Sequence, residues 1–472
     1  MSTMRFAPSI YTLSVCAMMA IMYAGVLPAF AQEPAENGKA GAGEEGGAEN
    51  GKENGKDKKA KGEWEYKAIL NRSFVTSSDG GRTVRFVDND QDNTAIGAER
   101  EITLGGGWKL GFKTAVDIKW AGSDRVSQDN VDNRVVTKLS DFVFELGHER
   151  YGKLAFGHAD SASDGVGDNS IKALNSSVLA NGEVENWNSS YFLRTPAIGL
   201  TPLKWGDFFG GPQVGDTGRF LVYTTPKFNG FEVKFGVGQP QDFFFTGITP
   251  AYHDKIGGVV LDTGIYYSKL WDKTMLVKGS IGAYRDTTRE RSVTEKTNDA
   301  GVAGGLALMH IPTGLNLAFN TGITTHTNQC EVPGVISGQC RGPDRFSYVK
   351  GGIVVKPFSW GPTDLYGEYY RGTRSLRESD ETFLRALELE LDTAEELRSS
   401  TMRVWGLGIV QSIDKRSEKS HSTDLYIGFR HYSLDTSLIG VGGGAVASQK
   451  VNDFSVVMAG VRFRWGKAEK ED

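Results

Sequence analysis

The sequence predicts an all-β protein, a transmembrane antiparallel β-barrel of 16 strands, and three observations support this prediction. In residues 219–239, apolar and polar side chains alternate on both sides of a turn at residues 226–230. The same alternation recurs from residue 64 onward, and short and long connections follow one another between the alternating segments. A sheet with one apolar face, closed into a barrel, presents that face to lipid.

Sixteen segments show this alternation, and each has the length of a tilted membrane-spanning strand. An even number of strands returns the chain to the side of the membrane on which it began. The segments are residues 64–76, 94–104, 107–120, 134–147, 151–159, 217–225, 230–238, 256–268, 273–285, 301–310, 314–325, 345–356, 363–371, 401–411, 421–431 and 451–465.

The connections between these segments alternate in length. Turns of a few residues rich in Gly, Pro and Asn follow every second segment. Short turns on the periplasmic side and long loops on the outside are typical of outer-membrane barrels. The long connections are residues 77–93, 121–133, 160–216, 239–255, 286–300, 326–344, 372–400 and 432–450.

The two faces of the segments differ in polarity. In the third segment, Phe112 belongs to an apolar face that has Trp108 and Trp120 at its ends, as expected where a strand crosses two membrane interfaces. In the last segment, Arg462 and Arg464 lie on the opposite, inner face. A charged inner face is too polar for a packed core, so we expect a water-filled lumen.

The N-terminal residues predict export. Arg5 precedes an apolar run, and Ala29-Phe30-Ala31 has the small-x-small pattern of a cleavage site, so we interpret residues 1–31 as a signal peptide; a membrane anchor is the alternative. Residues 32–62 consist mainly of Gly, Glu, Lys, Asn and Ala, which predicts a disordered periplasmic tail. The barrel domain is then residues 63–465, followed by a charged C-terminal tail at residues 466–472.

Composition and motifs disfavour several functional classes. The net charge of −5 argues against a nucleic-acid partner, which needs a basic surface. The sequence has neither a nucleophile elbow nor a zinc-protease motif, and its seven histidines are scattered. We therefore expect no enzymatic activity, no catalytic residues, no cofactor and no metal site; an outer-membrane lipase or protease built on a barrel is the alternative.

Two segments resemble a known family. The sequence YTTPKFNG at residues 223–230 resembles the Tyr-x-Ser-Pro-x-Phe-x-Gly hairpin of the general diffusion porins of Gram-negative bacteria. The sequence YGKLAFG at residues 151–157 is similar to the strand that leads into the constriction loop of these porins. The resemblance covers residues 64–465. It implies a homotrimer of barrels, each with a third long loop that folds into the lumen and narrows it.

The resemblance also implies a constriction in which an acidic loop faces a basic wall, so that an electric field crosses a narrow aqueous gap. The strand alternation points three basic side chains inward, where they can form the basic wall. Solvated lumen positions without a role in the constriction are the alternative. The acidic residues are Asp160, Asp164 and Asp168, and the basic residues are Lys67, Lys113 and Arg462.

Together these features predict an outer-membrane channel of a Gram-negative bacterium for the passive diffusion of small hydrophilic solutes and ions. Its other partners would be outer-membrane lipid and lipopolysaccharide. A porin selective for a sugar or an anion is one alternative: a track of lumen aromatics would favour a sugar, and a ring of arginines would favour an anion. A secreted β-rich adhesin is the alternative from another class.

The mature chain keeps two cysteines, Cys330 and Cys340, in the sixth long loop. Pro333 and Gly334 between them let the chain double back. Because export passes through the oxidising periplasm, we expect a disulfide between them; free thiols or a metal clip are the alternatives.

Replacing both cysteines with Ser should leave folding and conductance nearly unchanged. The ring that the disulfide closes is short. In the chain-entropy model, the disulfide should therefore stabilise the loop by a few kcal/mol at most and should not affect the barrel. Protease sensitivity of residues 330–345 should rise. Mass spectrometry of the unreduced protein checks the pairing directly, and two free thiols would contradict it.

Overall fold

The computed structural model is a closed antiparallel β-barrel of 16 strands, which confirms the predicted fold class. The first strand, Trp64–Ser78, pairs with the last, Phe454–Trp465, and this pairing closes the sheet. The structure describes residues 62–132, 134–166, 175–180, 182–196, 199–209, 215, 217–240, 244–246, 249–251, 258–287, 298–327, 343–375, 395–414, 421–440, 445–446 and 451–466.

This described part contains strands and a few 3-10 helices. The 3-10 helices are Gly105–Gly107, Asn175–Val178, Val184–Trp187 and Trp205–Phe208. The strands are β1 (Trp64–Ser78), β2 (Arg82–Asp88), β3 (Ala95–Thr103), β4 (Trp108–Trp120), β5 (Val135–His148), β6 (Gly152–Asp160), β7 (Phe192–Thr195), β8 (Gly199–Lys204), β9 (Thr217–Thr224), β10 (Phe231–Pro240), β11 (Phe244–Thr246), β12 (Thr249–Ala251), β13 (Val260–Trp271), β14 (Met275–Asp286), β15 (Asn298–His310), β16 (Leu315–Thr327), β17 (Asp344–Phe358), β18 (Gly361–Ser375), β19 (Glu395–Asp414), β20 (His421–Gly440), β21 (Ala445–Val446) and β22 (Phe454–Trp465).

The second strand of the barrel is interrupted. β2 pairs with one part of β1 and β3 with the other, so β2 and β3 together form one barrel strand with a break at residues 89–94. The predicted long loop at residues 77–93 is therefore wrong. Val84 and Phe86 point outward and are 56% and 50% exposed, as in any other strand of the wall. The sequence does not predict this strand, because the polar residues that begin at Asp88 are typical of a loop.

The turns at one end of the barrel are short. They join β3 to β4, β5 to β6, β9 to β10, β13 to β14, β15 to β16 and β17 to β18. Gly230 and Gly314 in these turns have φ of 91° and 72°, a conformation that other residues adopt only under strain. A side chain at Gly314 would also collide with the carbonyl oxygen of Val354. Glycine at these two positions therefore fixes where the chain reverses.

The outer surface of the wall is apolar around the whole barrel. Leu70, Phe235 and Ile281 are each about half exposed, at 47%, 54% and 53%. This is the arrangement of a wall that contacts lipid. Five of the nine tryptophans lie at the end with the short turns, as expected at a membrane interface. They are Trp64, Trp108, Trp271, Trp360 and Trp465.

None of the helices described above is long and apolar enough to cross a membrane.

A charged side chain on the outer face should destabilise the inserted barrel. Phe112 lies on the outer face of β4 and contacts the rings of Phe142 and Phe144, at centroid distances of 5.5 and 5.1 Å. Val233 lies on the outer face of β10. Phe112→Lys or Val233→Lys should cost roughly 2–4 kcal/mol near the bilayer midplane. Urea titration of the barrel in lipid vesicles, followed by heat-modifiable migration, measures this change.

Lys113→Gln is the matched control, because Lys113 lies on the inner face beside Phe112. Loss of the ion pair between Lys113 and Asp141 should lower the stability of the barrel by about 1 kcal/mol or less, as for other partly exposed ion pairs. Equal tolerance of charge changes on the two faces would contradict this assignment of the strand faces.

Candidate functional site

Residues 161–216, the lumen loop, connect β6 to β9. These two strands pair directly with each other, from Lys153 opposite Thr224 to Asp160 opposite Thr217. The lumen loop is therefore an insertion within one hairpin of the wall. Its described part contains three 3-10 helices and a small hairpin of β7 and β8, and it packs against inner faces of the wall.

The first residues of the lumen loop lie on a track of glycines. Gly236, Gly264 and Gly282 occupy inward positions on the neighbouring strands β10, β13 and β14. A Cβ atom at Gly264 would lie 2.5 Å from the carbonyl oxygen of Ala162, and one at Gly282 would lie 2.7 Å from the Val166 side chain. The missing side chains thus leave room for the loop backbone against the wall.

Polar side chains beside the glycine track hold the loop there. The backbone N–H and the hydroxyl of Ser163 both donate to Asp262 Oδ2, at 2.6 and 3.0 Å. The Tyr266 hydroxyl lies 2.8 Å from the carbonyl oxygen of Ala162 and 3.0 Å from that of Asp164. These contacts fix the direction in which the loop leaves the wall.

Later parts of the lumen loop pack against β17–β20 and β22 in a hydrophobic core. Trp205 lies 5.7 Å from the ring of Phe454, and Phe209 lies 5.7 Å from that of Tyr370. The loop contributes Val178, Leu179, Ala180, Val184, Trp187, Tyr191, Leu193, Leu203, Trp205, Phe208 and Phe209. The wall contributes Tyr348, Tyr366, Tyr370, Met402, Val404, Tyr426, Tyr432, Phe454, Val456 and Met458, among others.

This core corrects one expectation from the sequence. The inner charge of β22 does not exclude packing, because Arg462 is itself buried beside it and is 2% exposed. Its guanidinium is neutralised by Asp424, at 2.7 Å, and by Asp92. A charge can be packed in this way because its partners form hydrogen bonds with it and cancel it. The sector of the lumen inside β17–β22 is therefore filled with protein.

One buried ion pair joins the wall to the lumen loop. Arg430 is fully buried and donates to Glu368 at 2.7 Å. The same guanidinium donates to the loop carbonyl oxygens of Leu179, at 2.8 Å, and Val184, at 3.2 Å, and lies 4.2 Å from the ring of Trp187. Carbonyl oxygens of the loop, together with Gln91 Oε1 at 3.3 Å, thus accept hydrogen bonds from the donors that Glu368 leaves free.

A second wall cation, Lys350, binds the loop in the same way. It is fully buried and donates to the carbonyl oxygen of Ala180 at 3.3 Å. The hydroxyl of Tyr432 adds a 2.7 Å hydrogen bond to the carbonyl oxygen of Val184. The backbone carbonyl groups of Leu179, Ala180 and Val184 are therefore held by donors of the wall.

Glu185, which follows this segment, has a carboxyl group in apolar surroundings. Burial raises the pKa of this carboxyl group to about 8, and the negative charge of Glu183 adds to the shift. The packing of the loop thus favours the protonated form of Glu185 over its carboxylate.

Another sector of the lumen is lined by charges that water reaches. Inward-facing acidic residues on β3 and β5 alternate with lysines on β4 and β6, in the part of the wall nearer the short turns. Lys67 on β1 continues the alternation, while Glu65 at the rim interrupts it. We call this set the alternating lumen charges: Lys67, Glu99, Glu101, Lys109, Lys113, Asp141, Glu145 and Lys153.

The alternating lumen charges form ion pairs between neighbouring strands. The N–O distance is 3.1 Å for Lys67 with Glu99. It is 3.0 Å for each of the other three pairs, which are Lys109 with Glu101, Lys113 with Asp141, and Lys153 with Glu145.

The structure separates the predicted constriction residues into different surroundings. Asp160 is exposed at the end of β6 and accepts a hydrogen bond from Thr217 at 3.2 Å. Asp164 is half-buried in the first part of the lumen loop, near the glycine track. The basic residues Lys67, Lys113 and Arg462 point inward, and each pairs with carboxylates of the wall.

Three predicted residues, Asp168, Cys330 and Cys340, lie outside the described residues, so their roles stay predictions. Among the residues that the structure describes, no three His, Cys, Asp or Glu side chains form a group that could hold a metal ion.

Sequence reasoning missed the wall residues that position the loop. Gly236, Gly264 and Gly282 carry a readable signal, because three consecutive strands have glycine at an inward position. The sequence signal for Arg430 and Glu368 is weaker. The strand alternation places both side chains inward, but it does not predict that they form an ion pair. Contacts between strands far apart in sequence depend on the register of the whole barrel.

Comparisons with known proteins found matches among solved structures only, since no family model and no curated protein matches. An anion-selective porin from Comamonas acidovorans is 15% identical, with a TM-score of 0.47 over 86% of this chain and 100% of that one. The trimer form of OmpT, an outer membrane protein of Vibrio cholerae, is 13% identical, with a TM-score of 0.48 over 86% and 99%. Salmonella typhi OmpF in complex with daunomycin is 10% identical, with a TM-score of 0.45 over 86% and 98%.

Proposed function

We propose that this chain forms a water-filled channel in the outer membrane of a Gram-negative bacterium, through which small hydrophilic solutes and ions diffuse passively. One observation carries the proposal: a closed barrel with an apolar outside contains a sector of water-accessible charges. Ion pairs with lysine side chains that are 30–46% exposed suit the wall of an aqueous path. Weak contacts of this kind let a solute enter and leave again.

The lumen loop would set the width of this path. It fills the lumen beside β17–β22 and leaves the alternating lumen charges on other strands. A loop fixed on both the glycine track and the wall near Arg430 acts as a rigid sieve. Solutes would therefore be selected mainly by size.

Further parts of the proposal rest on sequence patterns. Residues 1–31 would be removed on export as a signal peptide, and residues 32–62 would form a periplasmic tail. The channel would assemble as a homotrimer, as the porin resemblance implies, in contact with outer-membrane lipid and lipopolysaccharide.

The packing of the lumen gives no particular support to a porin selective for a sugar or for an anion. Tyr348, Tyr370 and Tyr432 are buried against the lumen loop and are not open to a sugar. Arg430 and Arg462 are bound by carboxylates and are not open to an anion. A secreted adhesin would have to expose the apolar outer face to water.

Planar-bilayer recording of the purified full chain tests the proposed function. We expect stepwise conductance increments that are ohmic at low voltage and scale with salt concentration. Release of a small sugar from vesicles loaded with it should accompany them. A correctly folded barrel that inserts but passes neither ions nor the sugar would refute the proposal.

Loss of Arg430 should loosen the lumen loop. Arg430→Met leaves Glu368 buried without its partner and frees the carbonyl oxygens of Leu179 and Val184, so the loop packing should lose about 3–5 kcal/mol. Protease cleavage within residues 175–209 and single-channel current noise should both rise.

Arg403→Met is the matched control. It removes an arginine paired with Asp435 on the outer side, where the two side chains are 43% and 63% exposed. We expect no change in cleavage or noise from it. An Arg430→Met protein that behaves like this control would show that the ion pair does not hold the loop.

Neutralising the carboxylates at the end of β6 and in the lumen loop should change ion preference. With Asp160, Asp164 and Asp168 changed to Asn, the channel should shift toward anions, most strongly at low salt, where screening is weakest. Reversal potentials in a salt gradient measure the shift. Asp272→Asn in a short turn serves as control, and an unchanged potential in the triple variant would remove these three carboxylates from ion selection.

A further inference from the structure

We propose that the alternating lumen charges recognise zwitterionic solutes, such as free amino acids, during permeation. This inference rests on the proposed channel function and names a substrate class for it. The observation is the order of signs across neighbouring strands. β3 presents Glu99 and Glu101, β4 presents Lys109 and Lys113, β5 presents Asp141 and Glu145, and β6 presents Lys153.

The spacing of these charges matches a small dipolar molecule. Neighbouring strands lie about 4.8 Å apart, so on β3–β6 near the short turns a row of positive charges lies next to a row of negative charges. In each pair the N–O distance is 3.0 or 3.1 Å. An amino acid carries its ammonium and carboxylate groups a few bonds apart. It can therefore place its carboxylate on a lysine and its ammonium on the acidic group of the next strand.

Solvent exposure makes this exchange possible. The side chains of Lys113 and Lys153 are 45% and 46% exposed, and that of Glu145 is 31% exposed. Ion pairs in contact with water contribute little net free energy, so a solute can replace one partner at small cost. Lysine suits this role because its flexible chain carries a compact charge with three donors. The buried pair of Arg430 and Glu368, in contrast, cannot open to a solute.

An ion with a single charge gains less interaction energy from the alternating lumen charges. A cation that approaches Asp141 also meets Lys113, 3.0 Å from that carboxylate, and an anion at Lys113 meets Asp141. Opposite charges this close cancel beyond a short distance, and salt screens what remains. The surface therefore favours a solute that carries both charges over one that carries a single charge.

Vesicle swelling with a pair of isomers tests the inference. Alanine is a zwitterion and lactamide is a neutral molecule with the same atoms, so size and mass do not separate them. Through the wild-type full chain, alanine should enter about two- to fivefold faster than lactamide, the factor that one weak ion-pair exchange provides.

A variant with neutral amides at all four pairs should lose this preference. It carries Lys67→Gln with Glu99→Gln, Lys109→Gln with Glu101→Gln, Lys113→Gln with Asp141→Asn, and Lys153→Gln with Glu145→Gln. The alanine-to-lactamide ratio should fall to about one, while lactamide entry stays within about twofold of wild type. The matched control is Arg403→Gln with Asp435→Asn, an outer pair whose removal should leave the ratio unchanged.

Heat-modifiable migration shows whether the variant with all pairs neutralised folds. If it does not fold, a variant with a single neutralised pair tests the inference instead. Lys113→Gln with Asp141→Asn alone should lower the ratio part of the way. A ratio near one in wild type, or a ratio unchanged in a folded neutral variant, would overturn the inference. Entry of lactamide together with such a result would leave the channel function standing, whereas exclusion of both isomers would count against the channel itself.

Discussion

Every backbone N–H and C=O group of the wall needs a partner within the sheet, because hydrocarbon offers none. The pairing of β1 with β22 meets this need by removing both edges of the sheet. Closure fixes the register of each strand, and the register decides which side chains face lipid and which face the lumen. The glycine track, the Arg430 contacts and the alternating lumen charges all depend on this register.

The interior follows a second rule, that a polar group leaves water only when a partner replaces it. Arg430 and Lys350 are buried because carbonyl oxygens of the lumen loop accept their hydrogen bonds. The benefit is mutual, since the loop backbone needs donors once Trp187 and Trp205 bury it in apolar surroundings. Arg430 and Lys350 are therefore part of the packing, whereas Lys109, Lys113 and Lys153 stay in contact with water.

Local alternation predicts what local contacts decide. Phe112 and Lys113 take opposite faces as expected, because a neighbour in the sequence must point the other way across a strand. The strand at Val84 was hidden because the polar run after Asp88 resembles a loop. The packed core could not be predicted for another reason. Trp187 lies outside any alternating segment, and Arg430, whose guanidinium lies over its ring, is more than 200 residues away in sequence.

The lumen loop begins and ends on paired neighbours, β6 and β9, so the wall does not depend on it for its register. A short turn could join the same two strands and leave all other pairings as they are. The barrel and its filling are thus separable modules. Evolution, or a designer, can change the bore of such a channel by exchanging one insertion. Wall charges such as Arg430 and Glu368 would then be solvated by water, which accommodates ions better than a protein interior does.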